Sequence, residues 1–343
     1  MPLNNSGPLS FGGATVGQSI NLELGLSATA QASINSSDFR TLAGVPSGAI
    51  SLNNFYGKSS ASTGFFAGGL TGFAWTTINA TKIASTGTFT TFGQLTTGRY
   101  TPYNGSSATR GVIAGGSNTD NTALSSMDYI TFATAANAVN FGNLATTLNN
   151  GASIGNTTRG VFATGWANSA ETITGTIQYV TIATTGNAAT FGSCTGQRNV
   201  AGVSNSTYGI MIGGFSGVTT TACQYITIAS TGNASFWGSL SASAATYGGL
   251  SSSTRGVFIS DTFSPNMQYL TISTSGTNTS FGNMGGVAFL AAGISNSVIG
   301  LWGTYSDPQK TITIASTGNA TDYGNLGADA RSYGTGLSPL GGA

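Results

Sequence analysis

The segment Gln224-Tyr225-Ile226-Thr227-Ile228-Ala229-Ser230-Thr231-Gly232-Asn233-Ala234-Ser235-Phe236-Trp237-Gly238-Ser239-Leu240 reads as strand, turn, strand. Ile226 and Ile228 alternate with Tyr225 and Thr227, and β-branched residues at period two are the signature of extended chain. Ser230-Thr231-Gly232-Asn233 supplies the turn. Glycine and asparagine reach positive φ at least cost, so the chain is expected to reverse there and pair residues 234–240 with the first strand.

Five further stretches keep this grammar, at residues 83–95, 129–144, 179–194, 269–284 and 311–326. Each copy carries an aromatic followed by glycine: Phe92-Gly93, Phe141-Gly142, Phe191-Gly192, Trp237-Gly238, Phe281-Gly282 and Tyr323-Gly324. These glycines recur at intervals of 49, 50, 46, 44 and 42 residues. Several short strands per unit at that period point to a β-propeller, with the aromatic as a wedge between neighbouring blades.

Each unit also holds a strand-like segment with glycine near its end, at 64–69, 110–116, 159–165, 208–214, 255–260 and 298–303. With the pair already described, this gives strands B, C and D. A fourth segment, A, falls between D and the next B, as at 199–206 and 245–252. The first unit starts at B, whereas residues 332–337 are A-like and unused. The expected fold is therefore all-β, a six-bladed propeller over residues 61–343. Residues 332–337 supply the innermost strand of blade 1, closing the ring and removing two open sheet edges. Each blade is covered on both faces by its neighbours, which fits near-continuous apolar runs such as Ile210-Met211-Ile212 and Gly160-Val161-Phe162-Ala163.

Composition narrows the function. Only 6% of residues are charged, the formal net charge is +1, and ten lysines and arginines are spread over the whole chain, so nucleic acid is not an expected partner. No apolar run of about 18 residues exists, and no membrane insertion is expected. Residues 1–6 show neither a basic nor an apolar signal region, so no ordinary secretory signal is expected. Cys194 and Cys223 fit no metal spacing. Two readings stand for them: a disulfide between neighbouring blades, or two small buried residues.

Residues 1–60 do not follow the repeat and read as a small separate module, too small to bury much alone. Ser36 or Ser37 could cap a short helix ending at Gly44, and Ser51 another ending at Gly57. The wording of this module, with Ser6-Gly7-Pro8-Leu9-Ser10-Phe11, Arg40-Thr41-Leu42-Ala43-Gly44 and Ser47-Gly48-Ala49-Ile50-Ser51-Leu52-Asn53-Asn54-Phe55-Tyr56-Gly57-Lys58, resembles the N-terminal segment of tailed-bacteriophage structural proteins. The repeats, with their Arg-Gly-Val openings at Arg110, Arg159 and Arg255, resemble the kelch-like propeller of phage tail-fibre and baseplate-associated proteins. The resemblance implies a virion protein, assembled in the host cytoplasm. Residues 1–60 would dock on other tail or baseplate proteins, and the propeller would recognise the host surface, a glycan or a protein. Self-association is left open, since no heptad pattern specifies an oligomer.

Catalytic groups are sparse. The chain has no histidine and two glutamates, Glu23 and Glu171, and no pair of propeller carboxylates repeats between adjacent blades as a glycosidase pair would. No enzymatic activity, cofactor or metal is expected. Against this stand two alternatives: a purely structural decoration protein, and a propeller hydrolase of cell-surface polysaccharide.

The loops remain. Four-stranded blades put the BC and DA loops on one face of the disc and the AB and CD turns on the other. The BC loops hold Phe73, Trp75, Trp166, Phe215, Phe263 and Tyr305, and the DA loops hold Arg99 with Tyr100, Arg198 and Arg331. Rings beside hydrogen-bonding side chains suit a pyranose, whose apolar face stacks while its hydroxyls seek donors and acceptors. The same rings could instead cover the rim of the core. Arg110, Arg159 and Arg255, at the AB turns, are expected to bond a neighbouring turn carbonyl. Strand B of blade 1 starts on the AB side, so the N-terminal module is expected there, with the aromatic face pointing away.

Overall fold

The repeats fold as four-stranded antiparallel sheets, each a meander from strand A to strand D. Among the described residues of the computed structural model there are six such sheets in a ring, a six-bladed β-propeller. The structure describes residues 3, 8–13, 15, 18–23, 49–55, 63–83, 87–167, 172–260, 264–286, 292–305, 308–326 and 334–338. The chain divides into two compact units, Met1–Ser62 and Thr63–Ala343. In the first, Ile20–Glu23 forms a helical turn and Leu52–Phe55 a 3-10 turn. Ser51 does not cap with its hydroxyl as acceptor. Its N–H and O–H both donate to Asn54 Oδ1, at 2.7 and 3.1 Å. The helix expected to end at Gly44, and Gly57 itself, lie outside the described residues.

In strand order A to D, blade 1 is Thr335–Leu337, Thr63–Ala67, Thr77–Lys82 and Thr90–Gln94. Blade 2 is Tyr103–Ser106, Arg110–Ala114, Ser126–Thr131 and Val139–Asn143; blade 3 is Ala152–Gly155, Arg159–Trp166, Ile173–Thr181 and Ala189–Ser193. Blade 4 is Ala201–Ser204, Tyr208–Ile212, Ala222–Thr227 and Ser235–Ser239. Blade 5 is Thr246–Ser251, Arg255–Ser260, Asn266–Thr271 and Thr279–Asn283; blade 6 is Ala292–Ser295, Ile299–Gly303, Gln309–Thr313 and Thr321–Gly324. The A strands touch one another in cyclic order around the axis. As the sequence predicts, the last strand completes the first blade, with Leu337 opposite Phe65 and Thr335 opposite Ala67. The expected start of that strand, Ser332 and Tyr333, lies outside the described residues.

The core is divided among the interblade boundaries. One apolar cluster fills each, for example Val112, Met127, Phe141, Phe162 and Ile182 between blades 2 and 3, and Val203, Ile212, Trp237, Phe258 and Ile272 between blades 4 and 5. Phe141, Phe191, Trp237, Phe281 and Tyr323 are buried wedges, and Phe92 is half-buried in the same role. A β-bulge puts them there. In every blade the C–D register slips at this residue: Ile177 faces Gly192 and Gln178 faces Thr190, leaving Phe191 as the extra residue. The same slip leaves Phe92, Phe141, Trp237, Phe281 and Tyr323 unpaired. The bulge bends the outermost strand and aims the ring inward instead of along the pleat.

The glycine after the ring is required by the next blade. A Cβ on Gly192 would lie 2.1 Å from the Gly232 carbonyl, and one on Gly142 2.2 Å from that of Gly186. Gly324 meets the Gly87 carbonyl in the same way, at 2.4 Å, so the pattern runs through the ring closure. The chain reverses at these turns as expected, Ala222–Thr227 pairing with Ser235–Ser239, but the backbone conformation expected of the turn glycines is not the one found. Gly186, Gly232, Gly276 and Gly318 do not adopt left-handed backbone. Asn233 instead accepts from the Ser193 amide and hydroxyl of the preceding blade, at 3.0 and 2.9 Å. Asn187 and Asn319 accept from Asn143 and Asn283 likewise. The Gly-Asn pair is an interblade fastener, its small residue admitting the neighbour and its amide bonding it.

The AB-turn arginines do as expected. Arg110 donates to the Ile182 and Ala183 carbonyls, Arg159 to those of Ile228 and Ala229, and Arg255 to those of Ile314 and Ala315, all within 2.8–3.1 Å. Each lies over a tyrosine of its own blade, Tyr129, Tyr179 or Tyr269. Among the described residues no helix is long and apolar enough to cross a membrane.

Candidate ligand-binding face

The BC and DA loops leave from one end of each blade, and short bridges lock them together: Tyr100 with Ser117, Asn149 with Trp166, Arg198 with Phe215. Nearer the axis the chain is laced from blade to blade. The Asn150 amide donates to the Thr101 carbonyl at 3.2 Å, Asn199 to Asn150 at 2.9 Å, and Thr246 to Asn199 at 2.9 Å. Thr101, Asn150 and Asn199 all take left-handed backbone, with φ of 49°, 59° and 55°. That conformation costs a β-branched threonine appreciably, and it persists because the lacing over-determines it. These residues line a narrow cavity on the axis with Thr246, Tyr247 and Gly248.

Two of the predicted aromatics in blade 1 meet. The Phe73 ring, 52% exposed, stacks on Trp75 with centroids 5.0 Å apart and planes at 25°. The Trp75 indole N–H donates to Thr71 Oγ1 at 2.6 Å, and the Ala74 amide donates to Thr119 Oγ1 of blade 2 at 3.0 Å. Tyr100 follows at the edge, its hydroxyl bonded to Asn121 Oδ1. The result is an apolar platform held flat and bordered by hydroxyl and amide groups. Tyr305 of blade 6 stands 55% exposed on the same face.

A second group spans blades 3 and 4. The Arg198 guanidinium lies 4.7 Å from the Trp166 ring centre and 4.6 Å from that of Phe215, a cation in contact with two rings. Its backbone exchanges two hydrogen bonds with Phe215, at 3.0 and 2.9 Å, so the loop holding it is fixed.

Arg99 does not belong to this face. Its side chain is fully buried, donating to the Gly115 carbonyl at 3.0 Å, the Ser126 carbonyl at 2.7 Å and Ser126 Oγ at 3.1 Å, with Asp128 Oδ2 at 3.3 Å. Burial lowers its pKa and the Asp128 charge partly offsets this. Asp128 also accepts from the Thr96 amide and hydroxyl, at 3.0 and 2.7 Å. The Arg99 carbonyl accepts from Gly69 as the Gln197 carbonyl accepts from Gly165. Arg99 thus takes the inward place of Gln197, and Tyr100 the outward place of Arg198. Phe263 and Arg331 lie outside the described residues.

Sequence reasoning missed the polar residue on strand C that fastens the preceding blade. Asp128 does this to Thr96, and Gln178 accepts from the Ala145 and Thr146 amides at 2.6 and 3.0 Å. Gln224 accepts from Thr195 at 3.0 Å. The signal was the residue before three strand-C tyrosines, Gln178-Tyr179, Gln224-Tyr225 and Asp128-Tyr129; Gln268, before Tyr269, instead donates to Ser260 of its own blade at 3.0 Å.

Both cysteines are free, and they pack in different interblade clusters. Burial pushes each thiol up to about 11. Compared with protein-family models and with curated proteins, the chain gives no match.

Proposed function

We propose that this protein is a carbohydrate-recognition propeller of a bacteriophage virion, displaying its BC and DA face toward host-surface glycans. The observation that carries the binding half is the Phe73–Trp75 stack, a large exposed ring backed by a second ring and edged by hydrogen-bonding side chains. Exposed aromatic surface of this kind is costly in water unless it meets a partner, and a pyranose offers both an apolar face and hydroxyls. The virion half rests on the resemblance of residues 1–60 and of the repeats to tailed-phage structural proteins, with residues 1–60 as the attachment to other tail or baseplate proteins.

The test is binding of the full-length protein to immobilised glycans and to bacterial cells, with soluble surface polysaccharide as competitor. Saturable, competed binding is expected. Phe73→Ala, on an exposed ring, and Trp75→Ala should each weaken it on the order of tenfold or more. Folded protein that binds no glycan at multivalent density would sink the reading in favour of an architectural protein. Release of reducing sugar would instead make it a hydrolase.

A further inference from the structure

Arg198 differs from its counterparts. Arg99, Arg110, Arg159 and Arg255 all donate side-chain hydrogen bonds to backbone carbonyls. Among the described residues Arg198 makes no side-chain hydrogen bond and no ion pair; its guanidinium is held by Trp166 and Phe215 alone. Two rings within 4.7 Å of its Cζ hold the guanidinium, and its N–H groups have no hydrogen-bond partner among the described residues. Arginine rotamer entropy is a large part of what an anion must overcome to bind, and here the side chain is already ordered.

We propose that Arg198, held against the rings of Trp166 and Phe215, is a preorganised subsite for the carboxylate of an acidic sugar, taken edge-on by two parallel N–H···O bonds. The fork matches the spacing of carboxylate oxygens, and charge-assisted pairs of this geometry are stronger than neutral ones. Flanking aromatic surface suits the sugar ring that carries the carboxylate. This assignment rests on the glycan reading and makes it specific, to acidic polysaccharide over neutral.

The test titrates full-length protein with sodium glucuronate, with glucose as the neutral control and inorganic phosphate as the competing oxyanion, followed by ligand-observed NMR. Glucuronate is expected to bind at least about tenfold tighter than glucose. Arg198→Lys, which keeps the charge and loses the fork, should abolish the preference without shifting the unfolding midpoint; Arg198→Gln should do the same. Equal binding of glucuronate and glucose, or a preference that survives in both variants, overturns the subsite and leaves the glycan reading standing. Phosphate displacing glucuronate at a tenth of its concentration overturns the carboxylate assignment. A glucuronate preference lost with Arg198, in a protein that binds no polysaccharide, would uphold the anion site and sink the glycan reading.

Discussion

Arg99 and Asp128 face each other across the boundary between blades 1 and 2, Nη2 3.3 Å from Oδ2, with neither side chain exposed. A buried pair of this kind adds little over an apolar substitute, but removing one partner strands the other's charge. Asp128→Ala should therefore cost about 3–5 kcal/mol in urea unfolding. The double variant Arg99→Met with Asp128→Ala should cost less than the two single effects added. An Asp128→Ala protein within about 0.5 kcal/mol of the parent would show that the pair does not fasten the blades.

Two glycines of one fastener should behave oppositely. Gly192→Ala drives a Cβ to 2.1 Å from the Gly232 carbonyl, a backbone atom that cannot swing aside. It should destabilise by about 1–3 kcal/mol or more, since overpacking must shift two blades. Gly232→Ala meets nothing within 4 Å and sits outside the left-handed region, so it should stay within about 0.5 kcal/mol. Equal thermal midpoints for the two would contradict the packing described.

The thiols give a pH test. With both raised to about 11, the native protein at pH 8 holds far less thiolate than an unfolded chain, and labelling by a disulfide reagent should be about 100-fold slower than after urea unfolding. The folded state keeps these protons longer than the unfolded state does. The associated stability is therefore complete below about pH 9 and is lost as pH rises through about 11. Prompt labelling of the native protein at pH 8 would refute the burial.

Much of the fold was legible because strand alternation, the aromatic-glycine pairs and the unmatched last segment each carry a local physical requirement. The site was harder to read. Arg99 and Arg198 look alike in sequence, each beside a DA-loop turn, yet they stand one structural place apart, and alternation sends one guanidinium into the core and the other outward. The register that separates them is set by Gly69 and Gly165, which no count of loop residues shows. The Gly-Asn turns do reverse the chain as expected, but not through left-handed glycine. Their composition suits a local reversal, while the constraint on Asn233 comes from Ser193 in another blade.

Blade 1 takes its innermost strand from Thr335–Leu337, against Phe65 and Ala67 near the other end of the propeller. During synthesis the first blade therefore waits, one strand short, until nearly the whole propeller has left the ribosome. Blades 2 to 6 can each complete from contiguous sequence in the meantime, so the nascent chain grows as an open arc whose first edge is sealed last. A chain halted before residue 335 has at most five complete blades, a three-stranded blade 1 and no ring.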